Sequence, residues 1–286
     1  FWLQIHDLDD TQAAMAVTEL QPDLLIDLDG HGPRQRLALV NAIPAAFKAS
    51  WSNCPPGAAS GIVDLDARLR QTSRGDSHWL DADDFLALPV VDATPVSRAV
   101  TFGCLTPVVH VAEPTWRLYA RLLASLPSST LKLNLDRLGD PARQFIVELF
   151  AEHGIVADRL DFVAAHDVDA LCRAWRSISV ALIPPHSDGE RAFVTALWMN
   201  RPTVVFALHA HNAPWAQRPA RLLATLGHAD TASDESAYLA QARAWAAAPP
   251  TVHDRQTLID AGLTDPLRFA QCFSQAIVNA YYGTSS

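Results

Sequence analysis

Lysine is almost missing from these 286 residues: Lys48 and Lys132 are the only two among 22 basic side chains. Any chemistry that needs a lysine therefore has two candidates. Cysteine is sparse as well. Cys54, Cys104, Cys172 and Cys272 lie far apart, with no C-x-x-C pair and no Cys/His cluster at zinc-finger spacing. This argues against a disulfide framework or a structural zinc, and for isolated buried thiols in a reducing cytoplasm. No apolar run approaches the roughly 18–20 residues that cross a bilayer, and no basic segment leads into an apolar one at the start. G-x-G-x-x-G, the P-loop, G-x-S-x-G and H-E-x-x-H are all absent, which sets aside the common dinucleotide, nucleoside-triphosphatase, α/β-hydrolase and zincin signatures. Positive charge is outnumbered: the net charge of −9 argues against unassisted binding to nucleic acid or an anionic membrane.

What is present is a globular composition. Apolar residues make up 49% and charged residues 19%, enough for a full core, and the length suits one large domain or two moderate ones. In the first region a helix is expected over 11–20, with Asp9 or Asp10 as its cap, then a strand over 23–28 and a loop at Asp29-Gly30-His31. A helix over 35–41 and a strand over 47–51 follow, and the Pro/Gly-rich stretch 53–61 is a loop. The second region alternates more regularly. Strands are expected at 99–103, 130–135, 160–163, 178–183 and 203–206, and helices at 113–126, 140–153, 167–176, 190–199, 214–226, 233–246 and 266–281. Such alternation predicts an α/β fold with a parallel, doubly wound sheet. The expected domains are 1–97, a partial Rossmann-like unit, and 98–286, a complete one with a terminal helix.

The segment 178–206 (ISVALIPPHSDGERAFVTALWMNRPTVVF) reads as strand, loop, helix, strand. Its loop lies at the carboxyl end of a strand, and the helix that follows presents unpaired N–H groups, a place where phosphates bind. Ser187 or Asp188 can cap that helix, Gly189 lets backbone approach a ligand, and Arg191 can pair with a phosphate. An ordinary capped turn has the same letters. His31, His110 and His166 also follow strands, so in a parallel sheet their loops gather at carboxyl edges with the 187–191 loop. His209-Ala210-His211 could present two imidazoles, but no carboxylate or third ligand is placed with them, and no metal is expected.

Several stretches together resemble the catalytic region of the O-GlcNAc transferase and SPINDLY family, particularly its bacterial members. They are 23–51 (DLLIDLDGHGPRQRLALVNAIPAAFKASW), 100–103 (VTFG) with 116–133 (WRLYARLLASLPSSTLKL), 196–206 (ALWMNRPTVVF) and 214–227 (PWAQRPARLLATLG). Their order and spacing carry the resemblance. It implies a GT-B fold: two Rossmann-like domains, the first incomplete in this chain, with a nucleotide-sugar donor such as UDP-GlcNAc bound mostly against the second. It also implies a metal-independent, inverting transfer to Ser or Thr of a protein, with no cofactor, in the cytoplasm.

By the same resemblance, the donor contacts fall on His110, His166, Ser187, Asp188, Gly189, Glu190, Arg191 and Thr195, with Thr195 at the ribose, and the acceptor side on Gly30 and His31. The chain opens on Phe1-Trp2-Leu3, not Met. The family's catalytic-site histidine, and often a helical-repeat region, is expected upstream of Phe1, which leaves His110 as the candidate within the chain. There are departures. The family's lysine after the second domain's first strand is His110 here, its lysine near the uracil falls at about Val168, and its Gly-His-Thr-Thr-like loop reads Gly189-Glu190-Arg191-Ala192. These losses open an alternative: a catalytically inactive relative kept as a binding or regulatory module.

Overall fold

The computed structural model describes residues 2–28, 36–50, 63–64, 88–89, 92, 100–136, 139–185, 190–206, 218–226, 231–249, 255–260 and 265–283. Two compact units divide the chain.

The first unit starts with helix α1 (Asp10–Thr18), capped by Asp9. The Asp9 carboxylate accepts from the Gln12 N–H at 2.8 Å, and the Gln12 side chain accepts from the Asp9 N–H at 3.3 Å. This reciprocal box satisfies two of the donors that a helix start leaves open. Arg36 then ties the segment down, donating to Asp10 at 2.7 Å and to the carbonyls of Ile5 and Leu8, each at 2.9 Å. Helix α2 (Leu37–Ala42) follows at once, and its Leu39 packs with Ile43 on Ala13 and Ala14 of α1. Strands β1 (Leu24–Asp27), β2 (Phe47–Ser50) and β3 (Val63–Asp64) are parallel, in the order β1-β2-β3.

The second unit carries a five-stranded parallel sheet. In chain order it runs β4 (Thr101–Pro107), α3 (Glu113–Ser125), β5 (Thr130–Asn134), α4 (Asp140–Ala151), β6 (Leu160–Val163), α5 (Val168–Trp175) and β7 (Val180–Leu182). Then come α6 (Glu190–Trp198), β8 (Thr203–Val204), α7 (Arg218–Thr225), α8 (Glu235–Ala247) and α9 (Arg255–Asp260). Strands β4, β7 and β8 are buried almost throughout, as strands covered on both faces are, whereas β5 and β6 carry Lys132 and Asp161 on a more open face. Phe102, Cys104, Leu131, Leu133, Val180, Leu182 and Val204 form one core with Trp116, Tyr119 and Leu123 of α3, Phe150 of α4 and Tyr238 of α8. Trp175 of α5 and Phe193 and Leu197 of α6 are buried as well, and α5 and α6 pack together.

Two arginines close helix ends. Arg159 donates to the carbonyls of Leu123, Leu126 and Ser129, a second hydrogen bond for the Leu123 and Leu126 carbonyls, which already accept from the N–H groups of Leu126 and Ser129. Arg201 is buried and donates to the carbonyls of Met199 and Ile178, joining the end of α6 to the root of β7. Burial lowers its pKa to about 10, so it stays cationic at neutral pH.

The domain expectation needs one correction. The first unit comprises 1–83 together with 265–286, and the second comprises 84–264. Helix α10 (Pro266–Gly283), expected to close the second domain, belongs to the first. Its Phe273 and Ile277 pack on Phe47 and Ala49 of β2, and the Tyr281 ring meets Phe47 edge-on at 5.9 Å. An apolar helix face tells that a sheet lies beneath it, not which sheet.

Candidate functional site

The order of the larger sheet is β6-β5-β4-β7-β8. The chain therefore builds outward from β4 to one edge, returns to the middle, and builds outward from β7 to the other. The loops leaving β4 and β7 part in opposite directions, and the crevice between them is where open α/β sheets bind ligands. On one side of that point β4 ends at Pro107 and a short 3-10 turn, Val108–His110, leads to α3. On the other, β7 runs through Ile183, Pro184 and Pro185 toward α6.

The ends of β4, β5 and β6 are held by a single side chain, Asn134, 1% exposed at the end of β5. Its amide nitrogen donates to the carbonyl of Leu105 at 3.1 Å and of Ala165 at 3.0 Å. Its oxygen accepts from the N–H of Asp136 at 3.0 Å and of Ala165 at 2.9 Å. All four hydrogen-bonding positions of the amide are thus filled. Asp136, at φ 51°, takes the left-handed turn that Asp tolerates better than most residues. Its carboxylate lies 2.6 Å from His166 Nδ1, so the pair projects from neighbouring strand ends.

The expected site residues fall as follows. Arg191 is exposed in the first turn of α6 and has no ion-pair partner among the described residues. A cation at a helix N-terminus is opposed by the helix dipole, and a bound anion there would satisfy both. Glu190 opens the same helix. His110 is exposed at the end of its 3-10 turn, across the switch point from α6. His166 lies two strands along the same edge and pairs with Asp136. Ser187, Asp188, Gly189, Gly30, His31, His209 and His211 lie outside the described residues.

Thr195 is corrected. It is 0% exposed, and its hydroxyl accepts from Trp175 Nε1 at 3.0 Å and donates back to the carbonyl of Arg191. A helix residue at this phase turns into the core, so Thr195 braces the first turn of α6 against α5 and does not face a ribose.

Three contributors were not found from the sequence. Asn134 sat at the edge of an expected strand with nothing to mark it. Thr106, near the end of β4, is buried with a hydroxyl that has no hydrogen-bond partner, an arrangement that in folded proteins calls for an explanation. Its one signal was a hydroxyl ending an apolar run. Tyr238 of α8 donates to the carbonyl of Ile183 at 3.2 Å, at the root of the loop before α6.

Among the described residues no group of three or more His, Cys, Asp or Glu is placed to hold a metal, and no helix is long and apolar enough to cross a membrane. Cys104 and Cys172 are free and buried. Burial pushes the Cys104 thiol up to about 12 and, with Asp169 nearby, the Cys172 thiol to about 11. The thiolate is the reactive form. Both thiols should therefore stay unlabelled by iodoacetamide at pH 8 in the native protein and become labelled in denaturant, as peptide mass spectrometry would show; native labelling at either would overturn the assignment.

No family model matches the chain. Among curated proteins it is 25% identical over 235 residues to a probable UDP-N-acetylglucosamine–peptide N-acetylglucosaminyltransferase SPINDLY of Petunia hybrida, a match covering 74% of this chain and 25% of that protein. The Arabidopsis thaliana protein of the same description is 23% identical, with the same coverage of each. The chain spans about a quarter of the length of these relatives. A solved structure of a mutant O-GlcNAc transferase from Thermobaculum terrenum superposes with a TM-score of 0.69 at 21% identity, over 98% of this chain and 57% of that one. Sequence similarity and fold likeness agree on an O-GlcNAc transferase/SPINDLY-like catalytic region with a GT-B-type α/β fold.

Proposed function

We propose that this chain forms the donor-binding part of a glycosyltransferase that moves a sugar from a nucleotide-sugar, UDP-GlcNAc or a close analogue, to Ser or Thr of a protein. The observation that carries the proposal is Arg191: an exposed cation without a partner among the described residues, in the first turn of the helix that follows the switch-point strand β7. Arg191 and the N–H groups at the start of α6 would hold the pyrophosphate, with Ser187, Asp188, Gly189 and Glu190 completing the loop. His110 would add a donor from the β4 side, and the His166–Asp136 pair would lie toward the nucleoside.

In an inverting transfer the acceptor oxygen attacks the anomeric carbon as the bond to the nucleoside diphosphate breaks on the opposite face, and the hydroxyl proton passes to the departing diphosphate or to solvent. Charge develops on the departing phosphate, and fixed donors aimed there lower the barrier. Positive charge from Arg191 and the helix end serves that purpose without a metal. Gly30 and His31 would face the acceptor. A reducing, cytoplasmic setting fits the free thiols of Cys104 and Cys172.

Two observations favour a second reading, a binding or regulatory module without transfer. Ala192, where the resembling loop offers a hydroxyl, is buried, and neither lysine of the chain lies between β4 and α3.

Thermal unfolding of the full-length protein with UDP, UDP-GlcNAc and GDP-fucose separates the two. Nucleotide at 100 times its dissociation constant should add about 2.7 kcal/mol of stability. Arg191→Ala should weaken that affinity by about 10- to 100-fold, the loss of a charge-assisted hydrogen bond. A wild-type protein stabilised by none of the three would reject the transferase and leave the module. A shift that survives Arg191→Ala would reject the placement of the pyrophosphate.

A further inference from the structure

We infer that Tyr238 is a positioning residue for the donor loop, setting the loop's root from beneath; the inference rests on that loop being the ligand-binding one. The chain leaves β7 through Ile183 and then Pro184-Pro185. Two successive prolines have no N–H to offer, so this stretch cannot be tethered through its own donors there. Ile183 holds the sheet through its N–H, which donates to the Val204 carbonyl at 3.1 Å. Its carbonyl instead accepts from the Tyr238 hydroxyl.

Tyr238 comes from α8, more than fifty residues further along, and is 0% exposed. Its ring stacks on Phe206 at 4.6 Å and on Tyr119 at 6.2 Å. The Tyr119 and Tyr238 oxygens are 3.4 Å apart. With Tyr238 donating to Ile183, its oxygen accepts from Tyr119, a residue of α3. The phenol pair therefore joins the helix that follows β4 to the strand end that precedes α6, the two elements flanking the switch point. Burying a hydroxyl costs free energy unless it is bonded, and a phenylalanine would fill the same stacked space. What the hydroxyl adds is a fixed height and direction for the Ile183 carbonyl, where the chain leaves β7.

Tyr119 supplies an internal control. Tyr119→Phe removes a buried hydroxyl from the same pair but leaves the bond to Ile183. The test compares Tyr238→Phe with Tyr119→Phe in the full-length protein by two measurements. The first is hydrogen exchange of peptides spanning 183–192 without ligand, and the second is the dissociation constant for UDP. Tyr238→Phe should speed exchange in that segment about tenfold and weaken UDP about tenfold, the loss of one hydrogen bond, with β5 and α4 peptides unchanged. Tyr119→Phe should lower the unfolding temperature comparably while moving neither readout.

Wild-type exchange in Tyr238→Phe, or equal acceleration in Tyr119→Phe, would overturn the positioning role. If wild-type protein binds no UDP, the donor-site proposal fails by itself, and the ligand-free exchange still decides whether Tyr238 sets the loop.

Discussion

Asn134→Ala should lower the unfolding free energy by about 3–5 kcal/mol, among the larger effects open to a single substitution. The truncation strands two carbonyls, Leu105 and Ala165, and two N–H groups, Asp136 and Ala165. Each buried group left without a partner costs about 1–3 kcal/mol, and water admitted to the gap would return part of that. Asn134→Asp separates the two halves of the network. A carboxylate still accepts from both N–H groups, but it confronts two carbonyl oxygens and can donate to neither.

The folded protein would then hold a proton on that carboxyl more tightly than the unfolded chain does, so its folded pKa is raised above the ordinary value near 4. A raised carboxyl pKa means that stability falls as pH climbs from the unfolded value through the folded one. Urea unfolding should find Asn134→Asp closer to wild type at pH 4.5 than at pH 7.5. A loss under 1 kcal/mol for Asn134→Ala would show that the strand ends do not depend on this amide.

Gly103→Ala should cost about 2–3 kcal/mol from one added methyl group. A Cβ at Gly103 would lie 2.3 Å from Ile178 Cδ1, 2.8 Å from Cγ1 and 2.9 Å from Cγ2, all closer than carbon atoms pack. Rotating the isoleucine moves one of these atoms toward another, because the branch at Cβ leaves little choice of rotamer. Backbone retreat is opposed too. Ile178 donates through its N–H to the Trp175 carbonyl, and its own carbonyl accepts from buried Arg201. Ile178→Ala removes all three clashing atoms, at its own cost of about 2–5 kcal/mol for the cavity. The double variant should therefore be more stable than the sum of the two single losses allows, by about 1–2 kcal/mol in denaturant midpoints. Simple additivity, or a Gly103→Ala loss within 0.5 kcal/mol, would mean that the strand and the α5–β7 junction move apart freely.

The alternation of apolar strands with capped helices was legible because each element's signal lies within its own residues. The strand over 160–163 is found where its letters place it, and Asp9 and Asp167 cap the helices that follow them. The switch point was only half legible: the strand positions were read, but their spatial order is a matter of crossovers that no local pattern encodes. Thr195 shows the same limit at one residue. The resemblance put it at the ribose, on a helix near the loop, while the phase of that helix, fixed by Phe193 and Leu197 reaching the core, turns it inward toward Trp175. Asn134 and Tyr238 were invisible for a related reason. Asn134 reaches carbonyls 29 and 31 residues away and Tyr238 reaches partners 55 and 119 residues away, and a sequence does not print distances between such partners.

The placement of α10 has a consequence for how the molecule is made. Residues 84–264 form the second unit as one unbroken stretch, whereas the first unit is assembled from residues 1–83 and 265–286. On a ribosome the central stretch can close its core before residues 265–286 have been made. Phe47 and Ala49 must wait, their apolar face uncovered, for Phe273 and Ile277 to be synthesised. The part of the chain translated first is thus the part that finishes last, and its exposed sheet face is what a chaperone would meet during that interval.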